Sequence, residues 1–167
     1  FPILSENSQH PVVLNNSNVI STVKSSSNID SPISLFGNVN LTNFDTDHTG
    51  SSWEDAVIIE NYNIKNNSKH CITIQNTTLY TIIRNCNFES KTNQSIYLEN
   101  VTNVKIENCV FRSFTGIFSN NNTNVTITNN LFYNLDIDCI AININDSIQT
   151  TIQDNDVYCD YGIKIIG

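Results

Sequence analysis

The sequence is poor in several residue types that most globular enzymes use freely. Methionine is absent, and the 167 residues include only 5 glycines and 3 prolines. Only 8 residues are Lys or Arg against 16 Asp or Glu, which gives a formal net charge of −8. Nucleic-acid binding proteins usually present a basic face, so neither nucleic acid nor an anionic membrane is expected as a partner. No apolar run approaches the roughly 18 residues of a membrane-spanning helix, so membrane insertion is not expected either.

The sequence also lacks the C-x-x-C motif of common zinc and redox sites. Its 5 cysteines cannot all pair within one chain. We therefore expect free, buried thiols that pack as small apolar residues, with no metal site and no cofactor. The cysteines are Cys71, Cys86, Cys109, Cys139 and Cys159.

Asparagine is abundant instead, at about one residue in six, well above its average usage. The chain begins with Phe1 rather than methionine, which predicts that a secretory signal has been removed and that the protein is extracellular or at the cell surface. In that location the N-x-S/T sequons are candidates for glycosylation. The candidate sites are Asn15, Asn40, Asn66, Asn93 and Asn124.

Two short patterns recur along the chain at intervals of about 23 residues. The first joins an isoleucine to an Asn or Asp two positions later and to an apolar residue three positions after that. Its polar residues, separated by 24, 23, 21 and 25 positions, are Asn61, Asn85, Asn108, Asn129 and Asp154. The second pattern is an alternating segment that begins, at spacings of 24, 21, 25 and 21, at Ile72, Ile96, Ile117, Ile142 and Ile163. Each repeat therefore holds at least two short strands joined by Asn-rich corners.

Parallel stacking of these strands explains the repeats better than helices or a sandwich. The apolar period of 2 and the β-branched residues disfavour helices, and a sandwich would need hairpin turns such as Asn-Gly, which does not occur. Strands of one repeat pair instead with those of the next and form an all-β solenoid. Over about Asp55 to Gly167 the repeats resemble the right-handed parallel β-helix family, the pectate-lyase-like superfold. The resemblance implies about five coils of roughly 23 residues each.

Three segments are expected along the chain: an N-terminal arm or donor-strand-like segment (1–28), a lead-in or capping region (29–54) and the β-helix repeats (55–167). Inward columns such as Ile64, Phe88, Phe111, Phe132 and Val157 should stack. The ladder of Asn61, Asn85, Asn108, Asn129 and Asp154 should occupy a corner, where Asn tolerates a left-handed backbone and its amide bonds the next coil. Trp53 is expected to pack in the cap, and the DTDH segment at 45–48 is interpreted as a polar loop.

The segment NLDIDCIAININD (134–146) carries the candidate catalytic residues Asp136 and Asp138. It resembles the DDCIAI segment of polygalacturonase-type glycosidases, in which paired aspartates protonate the leaving oxygen and activate water. On one strand the two side chains would lie on one side, at about the 6.5–9.5 Å that inverting hydrolysis needs. Thr115 and Tyr161 replace the second aspartate and the histidine of that family, so a non-enzyme is favoured. A surface Ca²⁺ site is the alternative to a solvated acidic face at the cluster of Asp136, Asp138, Asp154, Asp156 and Asp160.

The two ends of the chain favour self-assembly. The segment YGIKIIG begins a new coil with no capping segment after it, and residues 1–28 contain an isolated apolar run. We expect a structural subunit of an extracellular filament or surface assembly, built by head-to-tail stacking with N-terminal strand exchange. The assembly residues would be Val12, Val13, Leu14, Val19, Ile20, Ile163 and Ile165.

The sequence also allows two functions other than assembly. The first is a carbohydrate-binding surface adhesin that uses Tyr80, Tyr97 and Tyr133, with glycans as partners. The second is a polysaccharide-cleaving enzyme that uses Asp136 and Asp138.

Overall fold

The computed structural model describes residues 29–133 and 138–167 of the chain. The predicted arm, with its assembly residues Val12, Val13, Leu14, Val19 and Ile20, and the candidate Asp136 lie outside these residues. The described part contains one short helix, α1 (Gly37–Phe44). Its strands are β1 (Ile33–Phe36), β2 (Val57–Glu60), β3 (Asn63–Lys65), β4 (Ile72–Thr77), β5 (Thr81–Arg84), β6 (Asn87–Glu107), β7 (Val110–Asn120), β8 (Thr123–Thr128), β9 (Leu131–Tyr133), β10 (Ile140–Asn145), β11 (Thr151–Gln153), β12 (Asp156–Tyr158) and β13 (Ile163–Ile166).

The strands form three parallel walls around one core. Wall one runs in the order β1, β4, the middle of β6, the second half of β7, β10 and β13. Wall two contains β2, β5, the end of β6, β8 and β11. Wall three contains β3, the start of β6, the start of β7, β9 and β12. All these pairings are parallel, so the chain is a β-solenoid, as the repeats predicted.

The register of wall one gives the length of each turn. Ile72, Ile96, Ile117, Ile142 and Ile163 are consecutive partners, so four turns take 24, 21, 25 and 21 residues, as the second sequence pattern predicted. The turn before them is longer, because Ile33 pairs with Ile72, 39 residues on. The extra length holds α1 and the loop from 45 to 56. The predicted lead-in region therefore contributes β1 to the first turn of the solenoid.

The helix α1 was not predicted, since the sequence patterns favoured strands alone. Its eight residues have no side-chain cap at the N-terminus, and a helix of this length has little stability by itself. Packing on β1 and β4 stabilises it, because Leu41 is fully buried. Asn38 also accepts hydrogen bonds from the Thr77 hydroxyl (2.7 Å) and the Thr78 N–H (3.2 Å), which tie the helix to the end of β4.

The interior consists of side chains stacked in register from turn to turn. Phe88, Phe111 and Phe132 form a continuous stack, with ring centroids 5.2 and 4.6 Å apart. Ile64 precedes this stack and Val157 follows it in the pairing register, which confirms the predicted inward column. Aromatic contacts of this kind stabilise by about 0.5–1.5 kcal/mol beyond the apolar area that they bury.

All five cysteines are free, and four of them are buried, as the sequence predicted. Cys86 and Cys109 occupy equivalent positions of neighbouring turns. Burial raises the pKa of the Cys109 thiol and raises that of Cys71 to about 11. These thiols are therefore protonated at neutral pH and pack as apolar groups.

Asparagine occupies the corners between walls, where the backbone turns left-handed. Asn61, Asn85, Asn108, Asn129 and Asp154 have φ values of 53–63°. Amide-to-amide hydrogen bonds in the described chain join neighbouring asparagines instead, and one of them, from Asn130 to Asn155 (3.0 Å), lies beside Asn129 and Asp154. Asn100 donates to Asn76 and Asn124 donates to Asn103, both at 2.7 Å.

Candidate functional site

An open groove of about 550 Å³ lies over the first two turns of wall two. We call it the aromatic groove, because three aromatic rings take part in its lining. It is enclosed by the strands β2 and β5 and by the loop from 45 to 56. Its lining residues are Phe44, Asp45, Asp47, His48, Trp53, Glu54, Ala56, Ile58, Glu60, Tyr62, Ile82 and Arg84.

The floor of the groove consists of outward-facing side chains of two paired strands. Strand alternation buries Val57 in the core and leaves its neighbour Ile58 facing the groove. Register pairing then places Ile58 beside Ile82, and Glu60 beside Arg84. The Arg84 Nε lies 2.7 Å from the Glu60 Oε2. An apolar row and an ion-paired row therefore run side by side along the floor.

The loop that forms the rim is fixed by backbone and carboxylate hydrogen bonds. Gly50 donates to the Asp55 carbonyl at 2.8 Å, and Tyr80 donates to the Gly50 carbonyl at 2.9 Å, which attaches the loop to the start of β5. The Asp55 carboxylate accepts hydrogen bonds from the Thr49 N–H (3.1 Å) and the Ser51 hydroxyl (2.9 Å). Gly50 has a φ of 70°, a conformation that glycine adopts without steric cost.

Asp45 joins the end of α1 to the floor of the groove. Its Oδ2 accepts a hydrogen bond from the Ile58 N–H at 2.8 Å and lies 2.8 Å from the His48 Nδ1. Burial alone would raise the pKa of Asp45, but the hydrogen bonds from Ile58, His48 and the Asp47 N–H together lower it below its ordinary value. Asp45 is therefore a carboxylate at neutral pH, with its charge held inside the groove.

The aromatic residues of the groove are positioned by neighbouring rings. Trp53 meets Tyr80 edge to face, with centroids 4.9 Å apart. The Lys105 ammonium lies 5.2 Å from the centroid of the Trp53 ring. Phe44 and Tyr62 lie 6.3 Å apart, which brings a second pair of rings to the groove. Such rings offer flat apolar surface beside the charged groups of the floor and rim.

Of the predicted catalytic pair, Asp136 lies outside the described residues and only Asp138 can be placed. The sequence placed Asp136 and Asp138 on one side of a strand, but Asp138 lies in a turn before β10, with a φ of 70°. That left-handed conformation ends the alternation on which the predicted spacing depended. Asp138 is exposed, its N–H donates to the Asp160 carboxylate at 2.8 Å, and it does not line the groove.

The tyrosines of the adhesin hypothesis face three different walls. Tyr80 supports Trp53 beside wall two. Tyr97 lies on wall one, stacked between His70 and Phe118 at 4.8 and 5.4 Å. Tyr133 lies on wall three, with the Arg112 guanidinium 5.1 Å from its ring. The three do not form one surface.

The other predicted site residues lie in varied surroundings. Ile163 and Ile165 of β13 are 46% and 71% exposed. Among the candidate sequons, Asn40 is exposed on α1, Asn66, Asn93 and Asn124 are partly buried, and Asn15 lies outside the described chain.

No group of three or more His, Cys, Asp or Glu side chains that could hold a metal ion occurs in residues 29–133 and 138–167. Across the same residues, no helix has the length and apolar character needed to cross a membrane.

Sequence reasoning missed the residues that build the groove. Trp53 was assigned to cap packing, and the DTDH segment was interpreted as a polar loop. The available signal was local composition, because residues 44–62 hold three aromatic and five acidic residues. That density is unusual in a chain with 9% aromatic residues.

Comparison with known proteins agrees with this architecture. The family model described as "Right handed beta helix region" matches residues 3–167. No curated protein and no solved structure matches the chain significantly. The repeats, the parallel walls and this match together establish that the chain belongs to the right-handed β-helix family.

Proposed function

We propose that the protein binds a segment of an oligosaccharide or polysaccharide in the aromatic groove. The observation that carries this proposal is the combination of Trp53, Phe44 and Tyr62 with carboxylates and Arg84 in one open groove of about 550 Å³.

Carbohydrates present apolar C–H faces and a dense set of hydroxyl groups. An aromatic ring complements the apolar face, and carboxylate or guanidinium groups accept or donate hydrogen bonds at the hydroxyls. Both kinds of group line the groove. The floor belongs to two paired strands and backbone hydrogen bonds attach the rim to β5, so little backbone ordering would oppose binding.

Titration calorimetry with oligosaccharides chosen from a glycan-array screen tests the proposal. We expect Trp53→Ala to weaken binding at least about tenfold, which corresponds to roughly 1.4 kcal/mol. Tyr97→Ala is the matched control, because it removes an aromatic ring from wall one and leaves the groove intact. Unchanged affinity in a folded Trp53→Ala protein, or no ligand in the screen, would contradict the proposal. Loss of binding in Tyr97→Ala alone would place the site on wall one.

Head-to-tail assembly, expected from the sequence, is a second candidate function. β13 pairs with β10 along one edge, and Ile163, Ile165 and Ile166 of β13 are 46%, 71% and 47% exposed. A strand from a second copy would cover these side chains and pair with the other edge. Sedimentation velocity should then show concentration-dependent oligomers that Ile165→Lys abolishes. A single monomeric species at every concentration would overturn this candidate.

Either function suits the extracellular or cell-surface location that the sequence predicts. A glycan-binding groove has its ligands there, and a surface assembly is built there. Glycosylation at exposed Asn40 would support that location, and intact-mass measurement of the natively produced protein tests it.

A further inference from the structure

The charges around the aromatic groove are unequal. Among the described residues, four carboxylates line it, those of Asp45, Asp47, Glu54 and Glu60, whereas Arg84 is the only Lys or Arg in its lining. Lys105, which lies over Trp53, adds one further positive charge at the edge. With His48 left out of the count, these described groups carry an excess of two negative charges.

The basic side chains in the described lining of the groove already contact carboxylates. Arg84 pairs with Glu60 at 2.7 Å, and His48 pairs with Asp45 at 2.8 Å. Asp47 and Glu54 are exposed, and within the described chain neither carboxylate forms an ion pair. Hydrogen bonds from its own backbone N–H and from Ser52 lower the pKa of Glu54.

The aromatic rings favour a cationic ligand, as the excess of carboxylates does. The face of an indole ring attracts a cation through its quadrupole. The Lys105 ammonium already lies 5.2 Å from the centroid of Trp53, so this ring accepts an ammonium group in the protein itself. Since Lys105 covers one face of Trp53, an ammonium on a ligand would meet the remaining aromatic surface of the groove beside the carboxylates of Asp47 and Glu54.

We propose that the ligand of the aromatic groove is a cationic carbohydrate, an oligomer of amino sugars with free amines, held by Asp47, Glu54 and the aromatic faces. This inference rests on the proposed carbohydrate-binding function and names its ligand class. A neutral oligomer of the same backbone lacks the ammonium groups and binds more weakly. A polyuronate is repelled by the excess negative charge.

Calorimetric titration with a matched pair of oligomers tests the ligand class. The probes are glucosamine tetramer, its N-acetylated counterpart and galacturonic acid tetramer, each at about pH 6 and low salt, so that the amines are protonated. We expect the glucosamine oligomer to bind most tightly. The double variant Asp47→Asn/Glu54→Gln should weaken its binding about three- to tenfold. It should weaken binding of the N-acetylated oligomer less, because the new amide oxygens still accept hydrogen bonds from hydroxyls.

Asp146→Asn/Asp154→Asn is the matched control, because it removes two exposed corner carboxylates away from the groove lining. Unchanged binding in this control, beside weaker binding in the groove variant, supports a local effect. Equal loss in both variants, or equal or tighter binding of the neutral or acidic oligomer, would overturn the inference and leave carbohydrate binding standing. Binding of none of the oligomers, together with no hit in the glycan screen, would overturn both proposals.

Discussion

At the scale of single residues, asparagine occupies two different environments in this protein. Asn129 lies at a corner, exposed, with a φ of 54°. Its neighbour Asn130 is 1% exposed and bonds the backbone of the preceding turn. The Asn130 Oδ1 accepts from the Cys109 N–H at 2.9 Å, and its Nδ2 donates to the Ile106 carbonyl at 3.0 Å. The first asparagine fits a backbone conformation, and the second satisfies buried backbone groups.

Substitutions at these adjacent positions should therefore have different effects. Asn130→Ala leaves a buried N–H and a buried carbonyl without these partners, so we expect a loss of about 2–4 kcal/mol in the free energy of unfolding. Asn129→Gly should change it by less than about 1 kcal/mol, because glycine adopts the same positive φ. Urea denaturation measures both values. Equal effects of the two substitutions would contradict the distinction.

The sequence could predict the corner asparagines but not the role of Asn130. Asn61 and its equivalents recur with the repeat, and a recurrent Asn at a corner has a local physical reason. Asn130 occupies the position that Cys86 and Cys109 hold in earlier turns, and nothing in its spacing shows that its amide bridges two backbones. Hydrogen bonds between turns depend on the three-dimensional register, which a single residue pattern does not specify.

At the scale of elements, the first turn differs from the regular repeats. It takes 39 residues instead of 21–25, because α1 and the loop from 45 to 56 are inserted between β1 and β2. Periodicity predicted the walls well, but it carries no information about an insertion that occurs once. The groove lies at this insertion, so the same break in the repeat that creates the candidate site hides it from repeat analysis.

Asp45 should make the attachment of this insertion dependent on pH. Its pKa is lowered in the folded protein, so its stabilising effect is fully present above the ordinary value of about 3.9 and is lost as pH falls through the lower folded-state pKa. Asp45→Asn retains an acceptor for the Ile58 N–H but loses the charge beside His48. We expect this variant to be less stable at neutral pH, with a smaller loss of stability on acidification than the native chain.

Urea midpoints at about pH 7 and about pH 3 provide the measurement. Asp138→Asn is a suitable control, because that exposed carboxylate has no hydrogen-bonded partner at its side chain in the described chain. An unchanged pH dependence in Asp45→Asn would show that Asp45 is not the group that titrates with unfolding.

At the scale of the whole molecule, the solenoid is stabilised by contacts between successive turns. β6 pairs with β4 and β7 on wall one and with β5 and β8 on wall two, so its turn is covered on both sides. β13 pairs with β10, and no further strand of the described chain covers its other edge. In a repeat architecture the stability of a turn is approximately its own plus that of its interfaces. Local stability should therefore fall from the central turns towards β13.

Amide hydrogen exchange followed by mass spectrometry tests this gradient. We expect the slowest exchange in β4, β6 and β7, and exchange at least about tenfold faster in β13, because opening β13 breaks one interface and opening β6 breaks two. Repeating the exchange measurement on diluted protein distinguishes protection of β13 by a second copy from protection within one chain. If a second copy stacks on this strand, its protection rises with protein concentration, whereas protection within one chain does not change. Uniform exchange across all turns would instead mean that the solenoid unfolds as one cooperative unit, with no local opening at β13.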